Sequence, residues 1–355
     1  MKVVNVNIDT ATPKDAEASI LIIYTGGTIG MVFDEDHKHL VPFNFSQILQ
    51  KVPELRQFHY KLTVMSIEPA IDSSNVNIAD WMMMVRLIEE NYEAYDGFVI
   101  LHGTDTMAYS ASALSYMLEN LQKPVIFTGA QVPIGRVRTD ARENLISALQ
   151  IAATKIDGGS TVPEVCIYFH NLLLRGNRAK KVESTQFSAF KSENHPILAK
   201  AGVNIDYYWT AIRPSTNLPL KAHYDMDYRV AILKLFPGIT PYVVKSILTS
   251  PDLRGVVLET YGAGNAPTNP WLLELLRDAI ARGILILNVS QCDEGRVDQG
   301  RYETSRYLLE MGVIGGADIT TEAAITKLMF VLGQQLPDAE TKELLMKDLS
   351  GEITL

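Results

Sequence analysis

Cysteine is almost missing from this chain. Cys166 and Cys292 are its two representatives, each inside an apolar strand-like run, which excludes a disulfide framework and suits buried thiols in a reducing compartment. Positive charge is also short. Lysine and arginine number 32 against 41 aspartates and glutamates, a formal charge of −9. With no local basic block either, the chain lacks the field that attracts phosphate backbones, so nucleic acid is not an expected partner. No apolar run approaches the roughly 20 residues of a membrane helix, and no membrane association is expected. Residues 1–19 carry one lysine before Asp9 and no unbroken apolar core, so they do not read as a secretory signal. A cytoplasmic protein is the expectation.

Several motifs are missing too. No Gly-Lys-Ser/Thr closes a phosphate loop, and Gly262-Ala263-Gly264 lacks a third glycine and runs into Pro267, which disfavours dinucleotide binding. There is no Gly-x-Ser-x-Gly elbow, and the seven histidines show no readable triad spacing. Cys292 precedes Asp293-Glu294-Gly295 without a histidine or cysteine at ligand spacing, and reads as inert.

What the chain does contain is alternation. Its 355 residues, 47% hydrophobic, suffice for two domains with substantial cores. Runs at 20–24, 61–66, 97–101, 124–128 and 164–170 are short and rich in Val, Ile, Phe and Tyr, as buried parallel strands are. Helical periods lie between them. Met107, Ala111, Leu114 and Met117 share one face, as do Leu145, Ala148, Leu149 and Ala152, the latter after an Asp140/Glu143 pair spaced like a capping box. Trp81-Met82-Met83-Met84-Val85 reads as helical core or subunit interface. The pattern predicts an α/β fold with a doubly wound parallel sheet in the N-terminal domain, 1–205, and a second, smaller α/β domain, 229–355. Between them, 206–228 is rich in proline and polar residues and predicts a linker. The second block has strands at 229–235, 255–259 and 284–289, and helices starting at Thr240-Pro241, near Pro270, at Thr321 and at Asp338.

Two polar runs follow apolar strands: Thr25-Gly26-Gly27-Thr28 and His102-Gly103-Thr104-Asp105-Thr106. Ligands of open α/β sheets bind outside the carboxyl ends of strands, so hydroxyls, a carboxylate and free amides stand where a small polar substrate would bind. The glycines permit a tight turn that lifts Thr28 out of the strand. Asp105, at a helix start, either caps that helix or grips an ammonium group. A hydroxyl nucleophile needs a proton acceptor. Without a triad histidine, a carboxylate-supported lysine is the alternative, and Lys180 and Lys181 are the adjacent candidates, at least one of them expected to be a solvated surface group.

Thr-Gly-Gly-Thr-Ile at 25–29 and His-Gly-Thr-Asp-Thr-Met at 102–107 resemble the two signatures of bacterial-type L-asparaginases. Ile71-Asp72-Ser73-Ser74 and Tyr261-Gly262-Ala263-Gly264-Asn265-Ala266-Pro267, with the overall length, resemble the cytoplasmic type I branch. The resemblance implies conversion of L-asparagine to L-aspartate and ammonia through an acyl-enzyme, with no metal or organic cofactor. It assigns Thr28 as nucleophile and Thr104, Asp105 and Lys181 as the proton-shuttling group. Asp72, Ser73, Ser74, Gly103, Thr104 and Asp105 are implied to hold the substrate, with Asn265 reaching the site from a neighbouring subunit of a homodimer or homotetramer.

Two positions depart from that pattern. The loop after the nucleophile, residues 31–42, lacks the family's tyrosine; Leu40 occupies its place, and His37 or His39 is the candidate substitute. Where some type I members bind an asparagine effector, Glu259 stands in place of an arginine and Lys180 in place of a threonine. That predicts weak or absent cooperativity, since a carboxylate repels an effector carboxylate. Two other functions fit the same pocket: the ammonia-supplying subunit of a tRNA-dependent amidotransferase, which usually has an added N-terminal domain, and a non-catalytic amino-acid sensor.

Overall fold

The computed structural model describes residues 2–8, 16–34, 39–42, 48–300 and 303–354. The chain forms two compact units, Met1–His223 and Tyr224–Leu355. The first is built on a nine-stranded sheet whose strands are β1 (Lys2–Ile8), β2 (Ala18–Gly26), β3 (Tyr60–Ile71), β4 (Gly97–Leu101), β5 (Val125–Thr128), β6 (Val165–Phe169), β7 (Leu172–Arg175), β8 (Ala199–Ala201) and β9 (Ile205–Tyr207). The spatial order is β1-β3-β2-β4-β5-β6-β7-β8-β9. Strands β3, β2, β4, β5 and β6 run parallel, and antiparallel partners close both sides.

This order explains where ligands can go. The chain leaves β2, forms β3 on one side of it, and returns to form β4 on the other. The carboxyl ends of β2 and β4 therefore flank a topological switch point, where connections depart in opposite directions and leave a crevice. Every residue of β4, β5 and β6 is buried, because helices cover a parallel sheet on both faces. Helix α1 (Ile78–Asn91) precedes β4, α2 (Met107–Met117) follows it, and α3 (Ala141–Ala153) packs against β2, β4, β5 and β6. Strand alternation puts Ile20, Ile22 and Tyr24 into one core with Leu145, Ala148 and Leu149 of α3. Trp81, Met84 and Val85 of α1 are buried.

The capping box expected at Asp140/Glu143 does not form. Thr139 Oγ1 accepts the Ala141 amide, while Asp140 accepts the amides of Gln131 and Val132 and Glu143 accepts the Ser147 hydroxyl. A carboxylate facing two free amides of the preceding loop is taken there instead. The true box lies at α1, where Asn77 accepts from Ala79 and Asp80 accepts from Asn77. The stretch 206–228 is also more ordered than a linker. Ile205–Tyr207 is the sheet's edge strand, and Lys221–Ala222 pairs with Leu118–Glu119, where His223 meets Glu119 at 2.7 Å. Two- and three-residue strands are too short to show a period.

The second unit has four parallel strands in sequential order: β10 (Val230–Lys234), β11 (Gly255–Thr260), β12 (Leu285–Ser290) and β13 (Ile314–Gly315). Its helices are α4 (Pro241–Leu248), α5 (Pro270–Ala281), α6 (Glu303–Met311), α7 (Thr321–Gly333) and α8 (Asp338–Met346). No helix among the described residues is long and apolar enough to cross a membrane. Cys166 is buried, which pushes its thiol well up, and Cys292 is exposed.

Candidate active site

The site is assembled from loops at the carboxyl ends of β2, β3 and β4, brought together by glycines. Gly26 and Gly27 have φ of +143° and +85°, which L side chains rarely adopt. Space forbids a side chain as well. A Cβ on Gly26 would lie 2.2 Å from the Ile71 carbonyl oxygen, and one on Gly27 would lie 2.5 Å from the Gly103 nitrogen. The turn after β2 thus rests backbone to backbone on the ends of β3 and β4. Thr25 donates its hydroxyl to the Leu101 carbonyl at 2.9 Å, pinning the turn's start to β4. Thr28 follows as the first residue of the single 3-10 turn Thr28–Gly30, and it is partly exposed.

Gly103 closes the other side. Its Cβ would fall 2.4 Å from Ser73 Oγ, so Ser73, buried to 5% exposure, sits directly against the loop that carries Thr104 and Asp105. The Thr106 hydroxyl donates to the Ser73 carbonyl at 2.7 Å. Beside it, the amide and hydroxyl of Ser74 both donate to Asp72 Oδ1 at 2.9 Å, which holds the Asp72 carboxyl below its usual range. Asp72 is therefore the cap of the turn Ser73–Asn75.

Lys181 joins these groups from far along the chain. It lies on a two-residue strand, Lys180–Lys181, paired with Phe190–Lys191. Its Nζ donates to Thr104 Oγ1 at 2.8 Å and to Asp105 Oδ1 at 2.7 Å. The lysine side chain is 19% exposed against 64% for Asp105, so the amine is the enclosed member of the pair. Asp105 is thereby a partner of the ammonium; α2 starts two residues later, and its N-cap, Thr106, spends its hydroxyl on Ser73.

Behind this loop lies a network that no sequence motif revealed. His102 is fully buried and its Nδ1 stands 2.7 Å from the Gly103 carbonyl, which can only accept, so Nδ1 carries the proton. Nε2 then accepts from the Ser110 hydroxyl at 3.0 Å, and Ser110 accepts from Trp81 Nε1 at 2.9 Å. The chain of donors is complete with a neutral imidazole. Burial pushes the His102 pKa down to about 4. An unfolded chain takes up a proton near pH 6.5 that the folded one refuses until about pH 4. The folded protein therefore has its full stability above pH 6.5 and loses about 3 kcal/mol from this residue as pH falls to 4. Urea unfolding across pH 4–7 measures this. His102→Gln should flatten the dependence by about one proton; an unchanged slope would contradict it.

The remaining candidate residues lie on other elements. Asn265 lies in the second unit, just beyond β11, where its amide donates to the Tyr261 carbonyl at 2.8 Å. Glu259, at the end of β11, accepts the Thr321 hydroxyl at 2.6 Å and lies 3.4 Å from Lys234 Nζ. His37 falls outside the described residues. His39 and Leu40 lie on the strand His39–Pro42, paired with Met31–Asp34. No cluster of three or more metal-ligating side chains occurs among the described residues.

An open α/β protein with hydroxyls and an enclosed lysine amine paired with a carboxylate at its switch point is equipped for acid–base chemistry on a small polar molecule. The chain matches the family profile "Asparaginase, N-terminal" over residues 19–213 and "Glutaminase/Asparaginase C-terminal domain" over 229–345. It is 41% identical over 365 residues to "60 kDa lysophospholipase" of Mus musculus, covering 96% of this chain and 63% of that protein, so it spans less than two thirds of that relative's length. It is 41% identical over 337 residues to "L-asparaginase 1" of Escherichia coli (strain K12), covering 95% and 98%. The crystal structure of L-asparaginase I from Vibrio cholerae superposes with a TM-score of 0.85 at 39% identity, over 95% of this chain and 99% of that one. The chain belongs to the asparaginase family.

Proposed function

We propose that this protein hydrolyses the side-chain amide of L-asparagine to L-aspartate and ammonia. The observation that carries this reading is the bridge from Lys181 Nζ to Thr104 and Asp105, on a loop whose Gly103 abuts Gly27, one residue before Thr28. Thr28 Oγ1 attacks the amide carbonyl, and as the C–O bond forms its proton passes to the amide nitrogen. With that proton on its nitrogen the tetrahedral intermediate breaks its C–N bond and expels ammonia, leaving an ester on Thr28. Water, its proton taken through the Thr104 hydroxyl to the free amine of Lys181, then attacks the ester, and the Lys181 ammonium so formed returns a proton to Thr28 Oγ1 as the ester C–O bond breaks and aspartate leaves. A lysine can serve this way because its amine both donates and, once deprotonated, accepts; Asp105 compensates its charge. Ser73, with Asp72 and Ser74 ordering its turn, and the Gly103 backbone would hold the substrate's α-carboxylate. Asp105 would meet the α-ammonium, and backbone amides beside Thr104 would face the oxyanion. Asn265 would come from a second copy in a homodimer or homotetramer, and the protein would act in the cytoplasm.

Initial rates of ammonia release against L-asparagine concentration test the reading. Release matched by aspartate supports it, and binding without turnover would favour an amino-acid sensor. The rate curve should be hyperbolic. Glu259 already accepts from Thr321 and neighbours Lys234, and a carboxylate there offers nothing to an effector's carboxylate. A sigmoidal curve would overturn that part.

A further inference from the structure

Between β2 and Thr28 the structure holds a contact that the proposed chemistry leaves unused. Tyr24 is 2% exposed, and its hydroxyl donates to the Gly30 carbonyl at 3.1 Å. Gly30 closes the 3-10 turn that Thr28 opens. The turn's N-cap, Gly27, makes no side-chain cap, and the turn carries its own bonds from the Gly30 amide to Gly27 and from the Met31 amide to Thr28. Gly30 is not among the glycines of positive φ, so its backbone does not require glycine. The ring does. A Cβ on Gly30 would lie 2.3 to 2.4 Å from Cε2, Cζ and Oη of Tyr24. The phenol thus lies flush against the floor of a turn three residues long.

We propose that Tyr24 is a positioning residue, which fixes the angle of the Thr28 hydroxyl by gripping the far end of its turn. The inference rests on the proposed function. Thr25 and Gly27 hold the turn at its β4 side and Ile29 packs into the core, and the Tyr24 bond fixes the backbone at its exit. Burial pushes the phenol up to about 12, so it remains a donor at every pH at which the protein works. Misplacing a nucleophile by a fraction of an ångström lowers the rate without changing what binds, because near-attack geometry enters the transition state more steeply than the ground state.

The test is Tyr24→Phe, which keeps the ring and deletes the bond. Its kcat for asparagine should fall about tenfold, with KM within about twofold and the melting temperature within a few degrees. A merely structural tyrosine would lower the melting temperature and leave kcat per folded molecule alone. Gly30→Ala should lose at least about a hundredfold in kcat, since the methyl group drives the turn off the ring. In the double variant Gly30→Ala/Tyr24→Leu, the shortened side chain gives the methyl group room, and kcat should return to the level of Tyr24→Leu alone. Failure of that rescue, or an unchanged kcat in Tyr24→Phe, overturns the inference while the parent enzyme stays active. A parent protein that releases no ammonia overturns the proposed function, and this inference falls with it.

Discussion

Thr28→Ala should lower kcat for asparagine by about 10⁴-fold or more while leaving aspartate binding within a few-fold of the parent. The alanine removes the only atom that would form the acyl bond, yet leaves the Ser73, Gly103 and Asp105 surfaces intact. Lys181→Met should cost about 10³-fold, the range of a positioned acid–base group. Methionine matches the lysine stem in length but supplies no proton and leaves Asp105 without its ammonium. The two losses should not add. A nucleophile and the relay that serves it act as one unit, so Thr28→Ala/Lys181→Met should be about as slow as Thr28→Ala alone. Steady-state ammonia release and calorimetric aspartate binding separate these effects. A Thr28→Ala protein retaining a tenth of the parent rate would remove threonine from the chemistry. A Lys181→Met protein of normal rate would assign the proton transfers elsewhere.

The second large effect concerns stability. Lys327 of α7 and Glu352 near the C-terminus are both fully buried, with Nζ 2.6 Å from Oε1. Glu352 also accepts the Ser350 amide at 2.7 Å and the Leu349 amide at 3.1 Å, and Lys327 donates to the Lys347 carbonyl. Two residues on, the Thr354 amide donates to Asp318 Oδ1 at 2.7 Å. The ion pair is thus the peg on which residues 347–354 hang. Burial draws the Lys327 pKa down, and the ammonium holds the Glu352 carboxyl down. Lys327→Met should destabilise the second unit by about 3–5 kcal/mol, because it strands a buried carboxylate. Left alone, that carboxylate would have its pKa raised by desolvation. The variant's stability would then be greatest below the unfolded-state value near 4.3 and fall as pH rises through the folded one. Lys327→Met/Glu352→Leu should recover most of the loss, because no charge remains to be buried. Denaturant unfolding followed by tryptophan fluorescence and by protease sensitivity of the C-terminal segment reads both. A loss below about 1 kcal/mol in Lys327→Met would show that the tail does not depend on the pair.

Much of this was legible in the residues. Short runs rich in Val, Ile, Phe and Tyr marked β2 through β6, since a strand buried on both faces has few polar positions to spare, and the helices after Thr106 and Asp140 followed from spacing on one face. The polar runs at 25–28 and 102–106 were visible because sheet ends are where glycine and hydroxyl residues interrupt such runs. Other features had no local signature. β7 to β9 are three or four residues long, Asp140 answers to amides outside its helix, and spacing alone left Lys180 and Lys181 equivalent until the family resemblance pointed to Lys181.

By itself, then, the amino-acid order determined the alternating α/β plan, the carboxyl-end position of Thr28 and of Thr104-Asp105, and the family, because each depends on neighbours within a few residues. Tertiary structure alone decided that Gly27 lies on Gly103, that Gly103 lies on Ser73, how Lys181 meets Thr104 and Asp105, and that Tyr24 stands under Gly30. Those contacts join strands across the switch point and positions up to 77 residues apart. Only the packed sheet brings such groups within hydrogen-bonding distance, because bond direction and steric fit act over a few ångströms of space and carry no trace along the chain.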